Sequence, residues 1–156
     1  MSQFEVITDT REKNPIQFTS ASISQVHSRK LETGDYTIVG LEDVLCIERK
    51  GSIAEFYKNV VESRFEDELV RMAAFKYRFL VLEFSMGEVL TIPHSLGLTR
   101  EQMAQCKMSA NFVVKRLAEI MVRHNVNVIF AENRMGATEI ITNIMKRIHE
   151  LSPPSN

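Results

Sequence analysis

The chain has 156 residues, of which 44% are hydrophobic and 25% are charged, and its formal net charge is −1 at pH 7. This length suits one domain with a continuous core, and the composition is that of a soluble globular protein. The near-neutral charge excludes the strongly basic field of proteins that hold nucleic acid by bulk electrostatics.

The sequence has no pattern of a membrane span, a secretory signal or a disulfide framework. No apolar stretch approaches the ~20 residues that a span needs, and residues 1–7 lack the long apolar core of a signal peptide. The two cysteines, Cys46 and Cys106, are expected to be free thiols. The four histidines are scattered and give a zinc site little support. We therefore expect an intracellular protein, cytoplasmic or nuclear, with no membrane contact and no secretion.

The first half of the chain predicts four strands followed by two helices. The strands are expected at residues 4–8, 22–31, 36–39 and 44–49, with a hairpin turn between the last two. Ser52 is a candidate N-cap, and Glu55 stands three residues later as in a capping box, so we expect a helix over residues 52–62. A second helix over residues 64–77 has an apolar face, with Glu68 among its solvated residues.

The second half predicts two buried strands among helices. The strands are expected at residues 79–84 and 126–130, with a loop over residues 85–98. One helix begins after the N-cap Thr99 and runs to about residue 123, and another runs from residue 135 or 136 to 151, before a loose tail. This order predicts an α/β fold in which helices flank a mixed β-sheet.

Charged motifs fall at the predicted strand ends: Asp9-Thr10-Arg11-Glu12, Gly34-Asp35-Tyr36 and Glu48-Arg49-Lys50. Because strand side chains alternate faces, Glu48 and Lys50 point the same way. Carboxylates gathered beside an ammonium suit Mg²⁺ or Mn²⁺, and a metal there would lower the pKa of a bound water. The motifs together indicate a metal-dependent phosphodiesterase, whereas any one of them alone is more typical of a solvated surface.

In order and spacing, these motifs resemble the nuclease domain of the XPF family. The likeness continues through the helix pair after residue 50 and the strand at 79–83, and is mainly topological beyond. It implies a restriction-endonuclease-like fold, with residues 1–152 as a single nuclease domain and 153–156 as a disordered tail. It also implies Mg²⁺- or Mn²⁺-dependent cleavage of DNA where double and single strands meet, as in repair and recombination.

The resemblance further implies roles for individual residues. The residues expected to be needed for catalysis are Asp9, Arg11, Glu12, Asp35, Glu48, Arg49, Lys50 and Glu55. The expected metal ligands are Asp9, Asp35 and Glu48, and the expected DNA contacts are Arg11, Arg49 and Arg64. Strand alternation points Arg49 away from Lys50, which favours a phosphate-contacting or fold-holding role for Arg49. Tyr36 is expected to pack behind the site.

The sequence departs from the family pattern in two places. The acidic residue expected four positions after Lys50 is Ala54, and the next residue, Glu55, either replaces that acid or only caps its helix. Family members commonly carry a tandem helix-hairpin-helix module or a helicase, and neither pattern occurs in these 156 residues.

The leading hypothesis is therefore a stand-alone, structure-specific DNA endonuclease that uses metal-activated water and forms no covalent intermediate. One alternative is a catalytically silent subunit of the same fold that binds DNA or pairs with an active partner. Another is a resolvase or restriction-type nuclease that shares only the core. Apolar residues on the two C-terminal helices predict a homodimer, with plain core packing as the alternative.

Overall fold

A computed structural model describes residues 2–152 of the chain. The strands are β1 (Phe4–Asp9), β2 (Ile23–Arg29), β3 (Tyr36–Ile38), β4 (Leu45–Lys50), β5 (Tyr77–Leu82) and β6 (Asn127–Phe130). The helices are α1 (Ile53–Asn59), α2 (Ser63–Met72), α3 (Met86–Leu90), α4 (Arg100–Gln105), α5 (Ala110–Arg123) and α6 (Arg134–Leu151), with a 3₁₀ turn at His94–Leu96. The prediction of a disordered tail at 153–156 lies outside the described residues.

The strands form one mixed sheet in the order β2-β1-β3-β4-β5-β6. β3 is antiparallel to both of its neighbours, β1 and β4, and the other neighbouring pairs are parallel. The carboxyl ends of β1 and β4 therefore lie at the same end of the sheet as the start of β3. The predicted charged motifs come together at this end.

The two faces of the sheet carry separate apolar clusters. Residues of α1, α2, α3 and α5 pack on one face, where Cys46 of β4 is buried. Residues of α6 pack on the other face, against Leu45 and Ile47. Because side chains alternate along a strand, β4 sends consecutive residues to opposite layers of the protein.

Several predicted elements differ from the observed ones. α2 ends at Met72, because the segment up to Tyr77 turns into β5. The predicted loop at 85–98 contains α3, which a capping box between Ser85 and Glu88 begins; Gly87 and Pro93 had favoured a loop there. The predicted helix at 99–123 is two helices, because Ser109 starts a new one as the N-cap of α5.

The prediction that β6 is a buried strand is also wrong. β6 is an edge strand, and its residues are only partly buried or exposed. An apolar run such as Val128-Ile129-Phe130 has the composition of a central strand, so composition alone does not reveal an edge position. No helix within residues 2–152 is long and apolar enough to cross a membrane.

Seven residues of the two C-terminal helices are buried in the core. On α5 these are Val113, Leu117 and Ile120, and on α6 they are Ala137, Ile141, Met145 and Ile148. Part of the apolar surface of α5 remains exposed, and Val122 is its most exposed residue, at 85%. Phe112 and Met121 are about half exposed.

Candidate active site

Backbone hydrogen bonds join the ends of three strands at the candidate site. The Asp9 N–H donates to the Asp35 carbonyl at 2.8 Å, and the Asp35 N–H donates to the Ile47 carbonyl at 2.8 Å. Gly34 precedes this junction with φ of 88°, and a Cβ there would lie 2.7 Å from the Cys46 sulfur. Only glycine meets both conditions without strain, so Gly34 fixes where Asp35 enters the site.

A cleft of about 260 Å³ opens at this junction, between the strand ends and α2. Asp9, Asp35, Glu48 and Lys50 all line it. As the strand alternation predicts, Glu48 and Lys50 lie on the same face, with the Lys50 ammonium 3.2 Å from a Glu48 carboxylate oxygen. Both side chains are buried in the wall of the cleft. The sequence therefore predicted the central cluster of the site.

The cleft carries negative charge that the protein only partly balances. Burial, and then the charge of Glu12, raises the pKa of Asp35 to about 7, although the Arg49 N–H donates to it at 2.8 Å. Burial also raises the pKa of Glu48 well above its usual value, with the charges of Asp35 and Glu68 adding to the effect. Carboxyl groups with raised pKa values are typical of functional sites that a cation completes.

Lys50 remains an ammonium in this setting. Burial lowers its pKa, but the charges of Glu48 and Glu68 and the hydrogen bond to Glu48 more than offset that, so the pKa is raised overall. Its Nζ lies over the Phe65 ring, 5.2 Å from the ring centroid. A lysine that stays protonated cannot take a proton from water at neutral pH. Its chemistry is to hold or stabilise negative charge.

Asp9 is held on two sides by the protein. One carboxylate oxygen accepts from the Leu31 N–H at 2.8 Å, and the other accepts from Arg11 Nε at 2.9 Å. The side chain of Arg11 is mostly exposed at the mouth of the cleft, and its hydrogen bond and charge contact with Asp9 raise its pKa. Asp9 thus anchors Arg11 and the 31–33 segment. Its role as a metal ligand stays a prediction.

Arg49 lies on the opposite face from Glu48 and Lys50, where it is 4% exposed. Its guanidinium contacts Glu12 at 2.7 Å and Glu83 at 3.0 Å, and donates to the Asn14 carbonyl at 2.9 Å. Arg134 of α6 extends this network through a contact of 2.9 Å with Glu83. Of the two roles left open for Arg49, this geometry favours holding the fold. Little of its surface is free for a DNA phosphate.

A family model of the ERCC4 domain matches residues 8–144. The chain belongs to this family. XPF from Aeropyrum pernix shares its fold with 18% identity and a TM-score of 0.64, over 94% of this chain and 68% of that one. XPF from the same organism in complex with DNA gives 18% identity and a TM-score of 0.70, over 98% and 68%. No curated protein sequence matches significantly. The restriction-endonuclease-like fold of an XPF-family nuclease domain is thereby confirmed.

ERCC4 nucleases are generally dependent on divalent metal, and the donor atoms of this site are compatible with one. Within residues 2–152, no three acidic, histidine or cysteine side chains are grouped so as to hold a metal. The roles of Asp9, Asp35 and Glu48 as metal ligands stay a prediction. Mg²⁺, however, usually takes only one or two carboxylates and keeps several waters. Asp35, which is half-buried, and Glu48, which is buried, both line the cleft with raised pKa values and meet that requirement.

Glu55, the displaced acid of the ERCC4 motif, lies on the exposed first turn of α1. Its carboxylate accepts from the Gly51 N–H at 2.9 Å, and its own N–H donates to Ser52 Oγ at 3.1 Å. The predicted capping box is therefore only half formed, because the Glu55 carboxylate binds Gly51 and not the N-cap Ser52. Glu55 lines a second cleft with Arg49 and Glu83, and Asp35 and Glu48 line this cleft as well. The two hydrogen bonds account for Glu55 as a helix cap.

Tyr36 packs behind the ERCC4 site, as predicted. It is fully buried, and its hydroxyl oxygen accepts from the Ile16 N–H at 2.9 Å. Burial raises its pKa to about 12. Tyr36 is therefore a neutral packing residue.

The sequence predicts that Glu68 is solvated, whereas its side chain is half-buried. Glu68 lines the cleft of Asp35, Glu48 and Lys50 from α2, three residues after Phe65. The available signal was this spacing, because residues three apart share a helix face and Phe65 is a core residue. The sequence also gave no sign of the contact between Glu83 and Arg134, because they come from separate elements.

Proposed function

We propose that this ERCC4 domain is a Mg²⁺- or Mn²⁺-dependent endonuclease that hydrolyses phosphodiester bonds at DNA flaps, forks or junctions. The observation that carries the proposal is the cluster of Asp35, Glu48 and Lys50 in one cleft, with a distance of 3.2 Å between Lys50 and Glu48. This cluster combines carboxylates for a cation with a fixed positive charge for a phosphate. Few functions other than phosphoryl chemistry require both at one point.

Each residue of the cluster has a distinct task. Asp35 and Glu48 would hold the cation, which when bound lowers the pKa of a water and offsets charge on the phosphate. Lys50 stabilises the negative charge that develops on the phosphate oxygens, or orients the attacking water. Asp9 fixes Arg11 at the mouth of the cleft, where its exposed guanidinium can bind a DNA phosphate. Hydrolysis by water requires no covalent bond to the protein.

DNA would approach across α2 and the mouth of the cleft. The side chain of Arg64 is 83% exposed on this rim, and its nearest partner is Glu62 at 3.3 Å. Arg11 and Arg64 therefore remain available for phosphate contacts, which position a nucleic acid without reading its sequence. This local arrangement would compensate for the low net charge of the chain. The complex of Aeropyrum pernix XPF with DNA supports DNA as the ligand.

We also propose that the protein is a homodimer through α5 and the free edge of β6. An uncovered edge strand exposes unpaired backbone groups, and proteins usually cover or protect such an edge. Val122 on α5 lies just before β6 in the chain and is almost fully exposed. Association of two copies here would bury both features.

The decisive experiment is a cleavage assay on labelled flap, fork, junction, single-stranded and duplex DNA with Mg²⁺ or Mn²⁺. We expect metal-dependent cleavage of at least one branched DNA, and a loss of at least about 100-fold in Asp35→Asn and Lys50→Ala. Thermal unfolding should verify that both variants are folded. Wild-type protein that cuts none of these DNAs with either metal would support the silent-subunit alternative. Full activity in either variant would overturn the assigned roles.

A further inference from the structure

Glu68 on α2 is a charged residue of the candidate active site to which the proposed mechanism gives no role. It lines the cleft with Asp35, Glu48 and Lys50. The side chain of Phe65, one turn earlier on the same face of α2, contacts the Lys50 ammonium. The packing of Phe65 into the core therefore sets the position of Glu68 relative to the cluster.

Glu68 faces several charged groups at once. Its charge raises the pKa values of Asp35, Glu48 and Lys50, although it is never the largest cause. The carboxyl groups of Glu48 and Glu68 are close enough to share a hydrogen bond when one is protonated. A half-buried carboxylate so near two others opposes folding unless a cation or a hydrogen-bond donor compensates it.

Glu68 receives no hydrogen bond from the backbone or side chains of the described residues, so its carboxylate has unused acceptor capacity. Since no three acidic side chains in that range are grouped to hold a metal, direct coordination by Glu68 is not the arrangement present. A hydrated Mg²⁺ or Mn²⁺ keeps several waters. The hydrogens of such waters are donors that match an acceptor-only carboxylate.

We propose that Glu68 is a positioning residue of the nuclease site, which accepts hydrogen bonds from waters on a divalent cation held by Asp35 and Glu48. Its charge also favours the protonated form of Lys50 from the α2 side. The inference rests on the proposed metal-dependent function and adds a fourth residue to the cluster. Changing a residue that orients metal ligands or their waters typically lowers metal affinity 10- to 100-fold.

The test measures Mn²⁺ binding without DNA, by the electron paramagnetic resonance signal of free Mn²⁺. We expect Glu68→Gln to bind Mn²⁺ about 10-fold more weakly than wild type. In EDTA it should unfold at the same or a higher temperature, because it loses a like charge. Asp67→Asn is the matched control, since it removes the same charge from the neighbouring exposed position of α2. It should bind Mn²⁺ as wild type does.

A purely structural role for Glu68 predicts the opposite pattern: a lower unfolding temperature in EDTA with unchanged Mn²⁺ affinity. That result would overturn the proposal. Glu68→Asp is a second variant, which keeps the charge on a side chain one methylene shorter. Its affinity for Mn²⁺ should fall between those of the wild type and Glu68→Gln. Wild-type affinity in both variants would likewise refute the role of Glu68 while leaving metal dependence intact. Absence of Mn²⁺ binding in the wild type would instead overturn the proposed metal-dependent function itself.

Discussion

Arg49 and Glu12 form a buried two-pronged ion pair, with Nη2 and Nε of the guanidinium 2.7 and 3.3 Å from the two carboxylate oxygens. This arginine stands between two residues of the proposed catalytic cluster, yet its contacts join β4 to the loop after β1 and to Glu83, which also contacts Arg134 of α6. Burial lowers the pKa of Arg49, but its bonds to Glu12 raise it more, so the charge is retained. The middle residue of the motif thus connects the layers of the fold.

We therefore predict that Arg49→Ala destabilises the protein. Removing Arg49 leaves Glu12 as a largely buried charge without its ion-pair partner and leaves Glu83 with Arg134 alone, and breaking such a buried pair costs about 3–5 kcal/mol. Chemical denaturation measures the free energy of unfolding. Arg64→Ala, which removes an arginine that is 83% exposed, is the control and should cost less than about 1 kcal/mol. An Arg49→Ala protein of wild-type stability that no longer binds DNA would assign Arg49 to phosphate contact instead.

Stability without metal should depend on pH through Asp35. Folding raises the pKa of Asp35 from 3.8 to about 7, so the folded state binds the proton more tightly than the unfolded state. The resulting stabilisation is complete below about pH 4 and is lost as the pH rises towards 7. In EDTA, Asp35→Asn should therefore gain stability relative to wild type between about pH 5 and pH 8. Chemical denaturation at pH 5 and at pH 8 measures the difference in free energy of unfolding between the variant and the wild type. The same difference at both pH values would show that folding does not raise the pKa of Asp35.

Glu55 should act as a helix cap and not as a catalytic acid. Its carboxylate accepts from the Gly51 N–H, and the amide oxygen of Gln can accept the same bond. We expect Glu55→Gln to cleave DNA at close to the wild-type rate, and Glu55→Ala to lose about 1 kcal/mol of stability. Ser52→Ala, which removes the other half of the cap, should cost a similar amount. A large loss of cleavage in folded Glu55→Gln would show that Glu55 replaces the acid missing at Ala54.

Arg64 should contribute to DNA affinity and little to stability. Arg64→Ala should weaken binding to every branched DNA to a similar extent and reduce the slope of log affinity against log salt by about 1. Fluorescence anisotropy at several salt concentrations measures both quantities. Arg147→Ala on α6, whose side chain is 69% exposed, serves as the control and should match wild type. Equal salt slopes for all three proteins would place the DNA elsewhere.

Association through α5 should depend on Val122. A charged residue at position 122 would be buried in the proposed dimer interface without an opposite charge, so the Val122→Glu protein should be a monomer. Light scattering after size-exclusion chromatography measures the mass. Val61→Glu, at an exposed apolar position between α1 and α2, should remain dimeric. A monomeric wild type across the micromolar range would argue against the dimer.

The parts of the fold and site that the sequence predicts depend on local periodicity. The alternation along β4 predicts Glu48 and Lys50 on one face and Arg49 on the other, because the strand backbone alone determines which face each side chain is on. The break between α4 and α5 was hidden, because an apolar repeat runs across the Ser109 N-cap. The edge position of β6 was hidden too, since it depends on which strands pair.

Contacts between distant elements escaped sequence reasoning for a related reason. Arg134 reaches Glu83 from another element, and nothing near either residue indicates the other. Glu68 entered the cleft because Phe65 packs inward, which is a property of tertiary packing. The N-caps Ser52, Ser85 and Asn133, in contrast, are local signals that can be read from the sequence.

The opposite orientations of Arg49 and its neighbours limit how this motif can vary in length. One residue inserted within β4 would exchange the faces of every later residue in the strand. Lys50 would then enter the layer of α6, and Arg49 would enter the cleft, so the site and the core would fail together. Gly51 lies after the last paired residue of β4. Position 51 is thus the first position at which the chain could lengthen without reversing the strand.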